Sequence, residues 1–250
     1  MRQIFFYTLI LLAAPAWLSA QDPVAAAMRN TVWPDAGAAG DGFGWSIFSR
    51  QYYSIANWNA TGILAGYTSG SGRSDVLICR DGIPGYSWYH LFLSHNRQFK
   101  KISGMLQLRF SMIRLKEQPP VLRLGGNINM CWTMSQMLNL QVAICDFPGW
   151  LLPSNATRGD PAMEFLLFHE PGRLIGLMAG FQISQLQFGP VTSGIRINLN
   201  DKVDLLGQLK VLPFGVTLGM SWKLSEYKAK IWLEQRNGLG VTPTMLVGSK

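Results

Sequence analysis

The sequence is short of charge. Asp, Glu, Lys and Arg make up 14% of its 250 residues, against roughly 25% in soluble domains, which argues against an ordinary cytosolic enzyme. Cysteine is sparse as well: with only Cys79, Cys131 and Cys145, a disulfide framework does not hold this fold. Beyond the leading segment no uninterrupted apolar run approaches the ~18 residues of a membrane helix. The longest, Leu174–Phe181, is broken by two glycines. A membrane protein built of helices is therefore not expected. What is present is 48% apolar residues and 26 glycines, a composition that also rules out a disordered chain.

The leading segment reads as an address. Met1–Arg2 precedes an apolar stretch, Ile4–Ala14, followed by Pro15 and the small-residue exit Leu18–Ser19–Ala20. We read residues 1–20 as a secretory signal peptide cut after Ala20. No cysteine follows at a position suited to acyl anchoring.

From about residue 102 the dominant period is two. Leu106, Leu108, Phe110 and Met112 alternate with Gln107, Arg109 and Ser111, which places the two sets on opposite faces of a strand. Val121–Trp132 and Met137–Ile144 repeat the pattern around a hairpin turn at Thr133–Gln136. It returns in Ile195–Leu199 and Val203–Val211, joined by Asn200–Asp201–Lys202, and in Phe214–Lys223 and Tyr227–Glu234, joined by Leu224–Ser225–Glu226. Several of these segments run nine to twelve residues, where soluble strands average about five or six and ~9–11 tilted residues cross a bilayer. Trp88, Tyr89, Trp132, Trp222 and Tyr227 lie near strand ends, as the girdles of a membrane barrel require.

The first half is less regular. Strands are predicted at Thr61–Thr68, Asp75–Arg80 and Ser87–His95, while Gly37–Gly44 is Gly/Ala-rich and Trp45–Asn57 shows no clean alternation. Asp146–Pro161, with Phe147–Pro148–Gly149–Trp150, reads as a long loop, and Ala162–His169 and Leu174–Ser184 as two more strands. The fold expectation is all-β: an antiparallel transmembrane β-barrel of ten to twelve strands. Residues 21–60 form a Gly-rich, plug-like N-terminal segment and 61–250 the barrel. A soluble all-β domain that turns its polar face to water shares the same alternation.

Three stretches carry a resemblance to a known family. They are Gly37–Ala38–Ala39–Gly40 leading to Trp45–Ser46–Ile47–Phe48 and Asn57; Leu122–Arg123–Leu124–Gly125–Gly126; and Pro213–Phe214–Gly215 followed by Gly238–Leu239–Gly240–Val241–Thr242–Pro243. On these the chain resembles the PorV/PorQ-like branch of the FadL-type outer-membrane β-barrels of Bacteroidetes-type bacteria. The resemblance implies a bacterial outer-membrane location, and such relatives include fatty-acid channels and shuttle or accessory components of type IX secretion, between which it does not choose; the leading expectation is a non-enzymatic structural or accessory subunit of a type IX-like secretion assembly. The alternatives are a narrow channel for small or hydrophobic solutes and a soluble periplasmic β-domain that binds a partner. The implied partners are outer-membrane lipid and a secretion or envelope complex.

No constellation for chemistry stands out. His90 and His95 are five apart on one predicted strand and so face opposite ways, which prevents both from ligating one ion. His169–Glu170 beside Pro171 reads as a turn pair, and Ser94–His95 as adjacent residues rather than a catalytic pair. No catalytic residue, metal or cofactor is implied. The best functional hint is the basic set on the polar faces: Arg109, Arg123, Arg196, Lys210, Lys223, Lys228 and Lys230. In a barrel these would line the lumen and favour anions, because a low-dielectric wall focuses the field of its lining. The competing reading places them near strand ends against lipid headgroups. Nucleic-acid binding, the usual inference from a pI near 9.6, is not expected, because the cations are spread singly along alternating strands.

Overall fold

A computed structural model describes residues 42–54, 58–70, 72–117, 119–147, 161–184, 187–211, 214–236 and 240–249. The first half of the wall comprises β1 (Gly42–Gln51), β2 (Asn59–Ser69), β3 (Gly72–Ile83), β4 (Tyr86–Phe99), β5 (Ile102–Leu115), β6 (Val121–Ser135) and β7 (Leu138–Cys145). The second half comprises β8 (Ala162–His169), β9 (Ile175–Ser184), β10 (Gln187–Asn200), β11 (Val203–Val211), β12 (Gly215–Lys223), β13 (Tyr227–Arg236) and β14 (Gly240–Ser249). Each strand pairs antiparallel with its neighbours in sequence, and β1 pairs with β14 to close the barrel. Closure gives every strand a neighbour on both sides, the condition a β-structure must meet in hydrocarbon.

The register assigns the faces. On β5, Gln107, Arg109 and Ser111 lie opposite Ser94, Phe92 and His90 of β4 and Asn127, Gly125 and Arg123 of β6. Phe92, Gln107, Ser111 and His90 are all buried, so this is the inner face. The alternate set points out and is exposed: Ile47, Ile63, Ile78, Leu106, Phe110 and Leu218, with Leu122 at 75%. A large exposed apolar surface is unstable against water. Here it runs around the wall as a continuous belt, the arrangement of a barrel whose outside faces lipid.

Strand number is even, so Gly42 and Ser249 share one rim, called the terminal rim below. Cys145 and Ala162, the strand ends flanking the longest stretch between strands, lie on the other, the loop rim. β4, β5 and β6 have 14, 14 and 15 residues, while β7 and β8 have 8 each. The wall is therefore uneven, and the loop-rim half of β6 extends past the end of β7, with which it pairs only from Ile128 onward.

Fourteen strands replace the ten to twelve expected. The two additions are β1 and β14, and each hides its pattern for a physical reason. In β1 the outward Phe43, Trp45 and Ile47 alternate with an inward set, Gly44, Ser46, Phe48 and Arg50, in which an aromatic ring interrupts the polar series. In β14, Pro243 argues against a wall strand because proline cannot donate to a ladder. It is tolerated because the β1 ladder stops at Arg50↔Thr244, one residue short of it. Within the 21–60 segment, residues 42–51 are thus wall, and the barrel begins at Gly42 rather than at residue 61. The signal peptide and Gly37–Gly40 lie outside the described residues.

One aromatic assignment is corrected. Trp88 shares the inner face with His90 and Phe92, in a stack with ring centroids 5.8 Å apart at each step, and so is not part of an outer girdle. Tyr89, Trp132 and Tyr227 are exposed on the outside.

Candidate functional site

The inner face is divided lengthwise into a packed apolar side and a half-buried, more polar side. The packed side is the inner face of β14, β1, β2, β3 and β4, where Phe48, Tyr52, Ala60, Leu77, Phe92 and Leu246 form one buried cluster. Leu64, Trp58 and Trp232 pack against it. Glycine helps bring the side chains together: a Cβ on Gly62 would stand 2.5 Å from both Cys79 Cβ and the Phe48 ring. Burial of this kind contributes roughly 1.5–3 kcal/mol per large apolar side chain.

At the loop rim this cluster is tied to polar groups. Just after β1 the chain makes a single 3-10 turn, Tyr52–Ser54, and folds inward. Tyr52 donates its hydroxyl to Asp81 Oδ2 at 3.0 Å and lies under the Arg50 guanidinium, 5.1 Å from the ring centroid. Arg50 in turn donates to Glu234 Oε2 at 2.8 Å, and both residues are buried. Tyr53 has φ 50, a left-handed conformation that costs a non-glycine residue and persists only where neighbours hold it. Here its amide donates to Thr242 Oγ1 at 2.9 Å and its ring meets Trp58 edge-on at 5.8 Å.

On the other side the inner face keeps contact with solvent. Asn127, Asn129, Cys131, Asn139 and Gln141 on β6 and β7 are half-buried, as are Arg196, Leu206, Gln208, Lys210, Thr217 and Lys223 on β10 to β12. A polar network crosses this side. Arg109 donates to Asp146 Oδ1 at 2.8 Å, the Asp146 amide donates to Asn127 Oδ1 at 3.0 Å, and Asn127 Nδ2 donates to Gln107 Oε1 at 2.7 Å. Gly125 makes it possible, because a Cβ there would lie 2.7 Å from Arg109 Nε.

The register puts all seven basic residues singled out from the sequence on the inner face, but it does not gather them. Arg123 lies near the loop rim, its guanidinium 5.8 Å from the Trp88 ring centroid. Arg109 is held by Asp146, and Arg196 donates to Glu170 at 2.8 Å near the terminal rim. Lys210 stands toward the loop rim on β11, opposite Thr192 and Gly215. Lys223, Lys228 and Lys230 do come together, on adjacent strands near the terminal rim, with Lys223 3.2 Å from Asp204.

The sequence reading missed Arg50 and the carboxylates Asp81, Asp146 and Glu170 as lumen groups. The signal for Arg50 was the alternation of Phe43, Trp45 and Ile47 with Gly44, Ser46 and Phe48. Asp146 and Glu170 sit just past strand ends, where alternation carries no information. His90 and His95 do face opposite ways. His90 is buried in the lumen with Nδ1 2.7 Å from Ser111 Oγ, and His95 is outside with Nδ1 2.9 Å from Ser74 Oγ. Among the described residues no cluster of three His, Cys, Asp or Glu side chains suits a metal ion. None of the three cysteines is in a disulfide.

No protein-family model and no curated protein sequence matches the chain. Solved structures match its fold. Omp33, an outer-membrane protein of Acinetobacter baumannii, is similar at 5% identity with a TM-score of 0.57, over 84% of this chain and 98% of that one. A TodX deletion mutant described as a monoaromatic hydrocarbon channel is similar at 8% identity and a TM-score of 0.55, over 85% and 89%. A mutant of the Rh. blastica porin reaches a TM-score of 0.50 at 7% identity, over 84% and 99%. The class of the protein is therefore defined by fold: it is an outer-membrane-type, closed, fourteen-stranded antiparallel β-barrel.

Proposed function

We propose that the protein is a non-enzymatic barrel of a bacterial outer membrane whose lumen is a narrow passage for small solutes. One observation carries the reading: the lumen is half filled. Bulky apolar side chains pack the face from β14 to β4, while the inner faces of β6, β7 and β10 to β12 carry cations and polar side chains, many of them only half-buried. Packing of this kind favours a path narrower than a general diffusion pore, with an apolar side and a polar side. Short turns at the terminal rim and the widest strand-to-strand gap in sequence opposite fit the usual orientation, with Gly42 and Ser249 on the periplasmic side.

A second reading makes the barrel a structural or accessory subunit of a type IX-like secretion assembly. It is supported by the resemblance to PorV/PorQ-like barrels and by the packed half of the lumen.

Reconstitution of purified protein into planar bilayers separates the two. The passage reading expects reproducible small conductance from the isolated chain, with an anion preference that falls when Arg109, Arg123 and Arg196 are changed to Gln. A silent barrel that recovers a stoichiometric partner from native membranes would replace the passage by the subunit.

A further inference from the structure

The outside of the wall carries almost no charge, and the exceptions lie in one sector. By register, Arg80, Arg97 and Arg114, on β3, β4 and β5, are the only charged residues at outward positions of the described strands, so no Asp or Glu accompanies them there. Arg97 belongs to the terminal-rim end. Arg80 and Arg114 stand at the loop rim, close to the ends of β3 and β5, and both are exposed. Outward arginine is tolerated at that depth and strongly disfavoured at mid-membrane.

These two arginines converge on one serine of the strand between them. Ser87 is directly opposed to Arg114 on β5 and to Gly82 on β3, and Arg80 Nη2 donates to Ser87 Oγ at 3.3 Å. Because the Ser87 oxygen accepts from Arg80, its proton is available to a further acceptor. Gly82 has φ 140, and a Cβ there would lie 2.2 Å from the Tyr86 carbonyl oxygen, so the third member of this row carries no side chain. Among the described residues neither arginine has a carboxylate partner. Toward mid-membrane the outward face turns apolar at once. Tyr89, Met112 and Leu122 continue the Arg80 row, and Ile78, Leu91 and Phe110 form the next outward row. A paired cationic head thus sits above a surface that accepts acyl chains.

We propose that Arg80, Arg114 and Ser87 form a site on the outside of the barrel for a phosphate of a phosphorylated glycolipid in the outer leaflet. Guanidinium groups bind phosphate through paired N–H···O bonds, and the serine hydroxyl adds a donor. A phosphate monoester carries close to two negative charges at neutral pH, which matches two arginines. A phospholipid diester carries one, and a zwitterionic head brings a cation for which this patch has no acid. The site rests on the outer-membrane orientation given above, with the loop rim outward, and does not depend on an open lumen.

The test is native mass spectrometry of the full, folded chain in neutral detergent, without divalent cations, titrated with diphosphorylated lipid A. Saturable retention of one lipid A per barrel is expected, with dephosphorylated lipid A and phosphatidylglycerol each bound about tenfold more weakly or worse. Arg80→Gln and Arg114→Gln should each weaken lipid A by about tenfold or more, the effect of one charge-assisted hydrogen bond, and Ser87→Ala by a smaller factor. Arg97→Gln makes the same charge change on the outer face at the opposite rim and should leave retention unchanged. Folding of each variant is checked by heat-modifiable electrophoretic mobility; if Arg80→Gln fails that check, Arg114→Gln and Ser87→Ala decide. Absence of saturable retention, equal binding of dephosphorylated lipid A, or equal loss from Arg97→Gln would overturn the site. Phosphatidylglycerol binding as tightly as lipid A would overturn the glycolipid as its occupant. Lipid retention needs no open path. Lipid A bound by a barrel that is silent in planar bilayers therefore removes the passage and keeps the site, and conductance without lipid A binding does the reverse.

Discussion

Arg50 of β1 and Glu234 of β13 are joined across the strand between them, with Arg50 Nη2 donating to Glu234 Oε2 at 2.8 Å over a sequence separation of 184 residues. On β14, Arg50 faces Thr244 and Glu234 faces Thr242. The pair thus straddles the strand that closes the barrel.

Removing one partner of a buried pair leaves an uncompensated charge, at a cost of about 3–5 kcal/mol. Glu234→Gln and Arg50→Met should each lower the denaturant midpoint of the folded barrel accordingly. Arg50→Met combined with Glu234→Leu should cost much less than the two effects added. Strict additivity in that cycle would show that the ion pair contributes nothing to closure.

The outward face is tested by charge. Arginine at Leu108, Phe110, Leu218 or Met220 should destabilise by ~2–4 kcal/mol at mid-membrane depth and impair assembly. Arginine at Thr217 should be milder, because Thr217 is half-buried on the inner face opposite Glu234. Gln107 is inward too, yet it is fully buried and accepts from Asn127, so arginine there should disrupt packing and is no mild control. Equal tolerance at Phe110 and Thr217 would contradict the lipid-facing belt.

Closure by β1 and β14 makes a specific demand on Ser49 and Met245, which are paired on the outer face. Directly paired antiparallel residues have Cα atoms about 4.5–5.5 Å apart, within disulfide reach. With the three native cysteines replaced by serine, Ser49→Cys/Met245→Cys should oxidise to an internal cross-link in high yield. Moving one cysteine to Ile47 should abolish it. A barrel of twelve strands that omitted β1 and β14 would cross-link neither pair.

The divided lumen predicts a thiol pattern. Cys131 is half-buried on the inner face opposite Ser103 and Gln141, whereas Cys79 and Cys145 are buried. A small, charged, membrane-impermeant thiol reagent should modify Cys131 in the folded barrel and all three cysteines after denaturation. Protection of Cys131 in the folded state would mean that the β6–β7 side is closed to solvent.

Much of the wall was legible because alternation is local. In β5, β6, β11, β12 and β13 each residue's face follows from parity alone, and so does the opposition of His90 to His95. Parity fails where the inner face is itself apolar. Phe48 in β1 and Leu246 in β14 face a packed cluster and not water, and Pro243 adds a residue that cannot donate to a ladder, so neither strand looks like one of a polar-lumen barrel. Trp88 was misassigned for the opposite reason: a tryptophan near a strand end suits an outer girdle, but its parity with His90 places it inside.

The sequence by itself determined the class of wall and, in the regularly alternating strands, the set of side chains on each face. These depend on neighbours two residues apart. Tertiary structure alone decided the circumference, because closure depends on pairing residues about 200 positions apart, as in Ser46↔Gly248. It alone decided which cations have carboxylate neighbours: Arg50 with Glu234, Arg109 with Asp146 and Arg196 with Glu170. An ion pair depends on where strand ends and loops fold back across the lumen, and no period in the sequence encodes that distance.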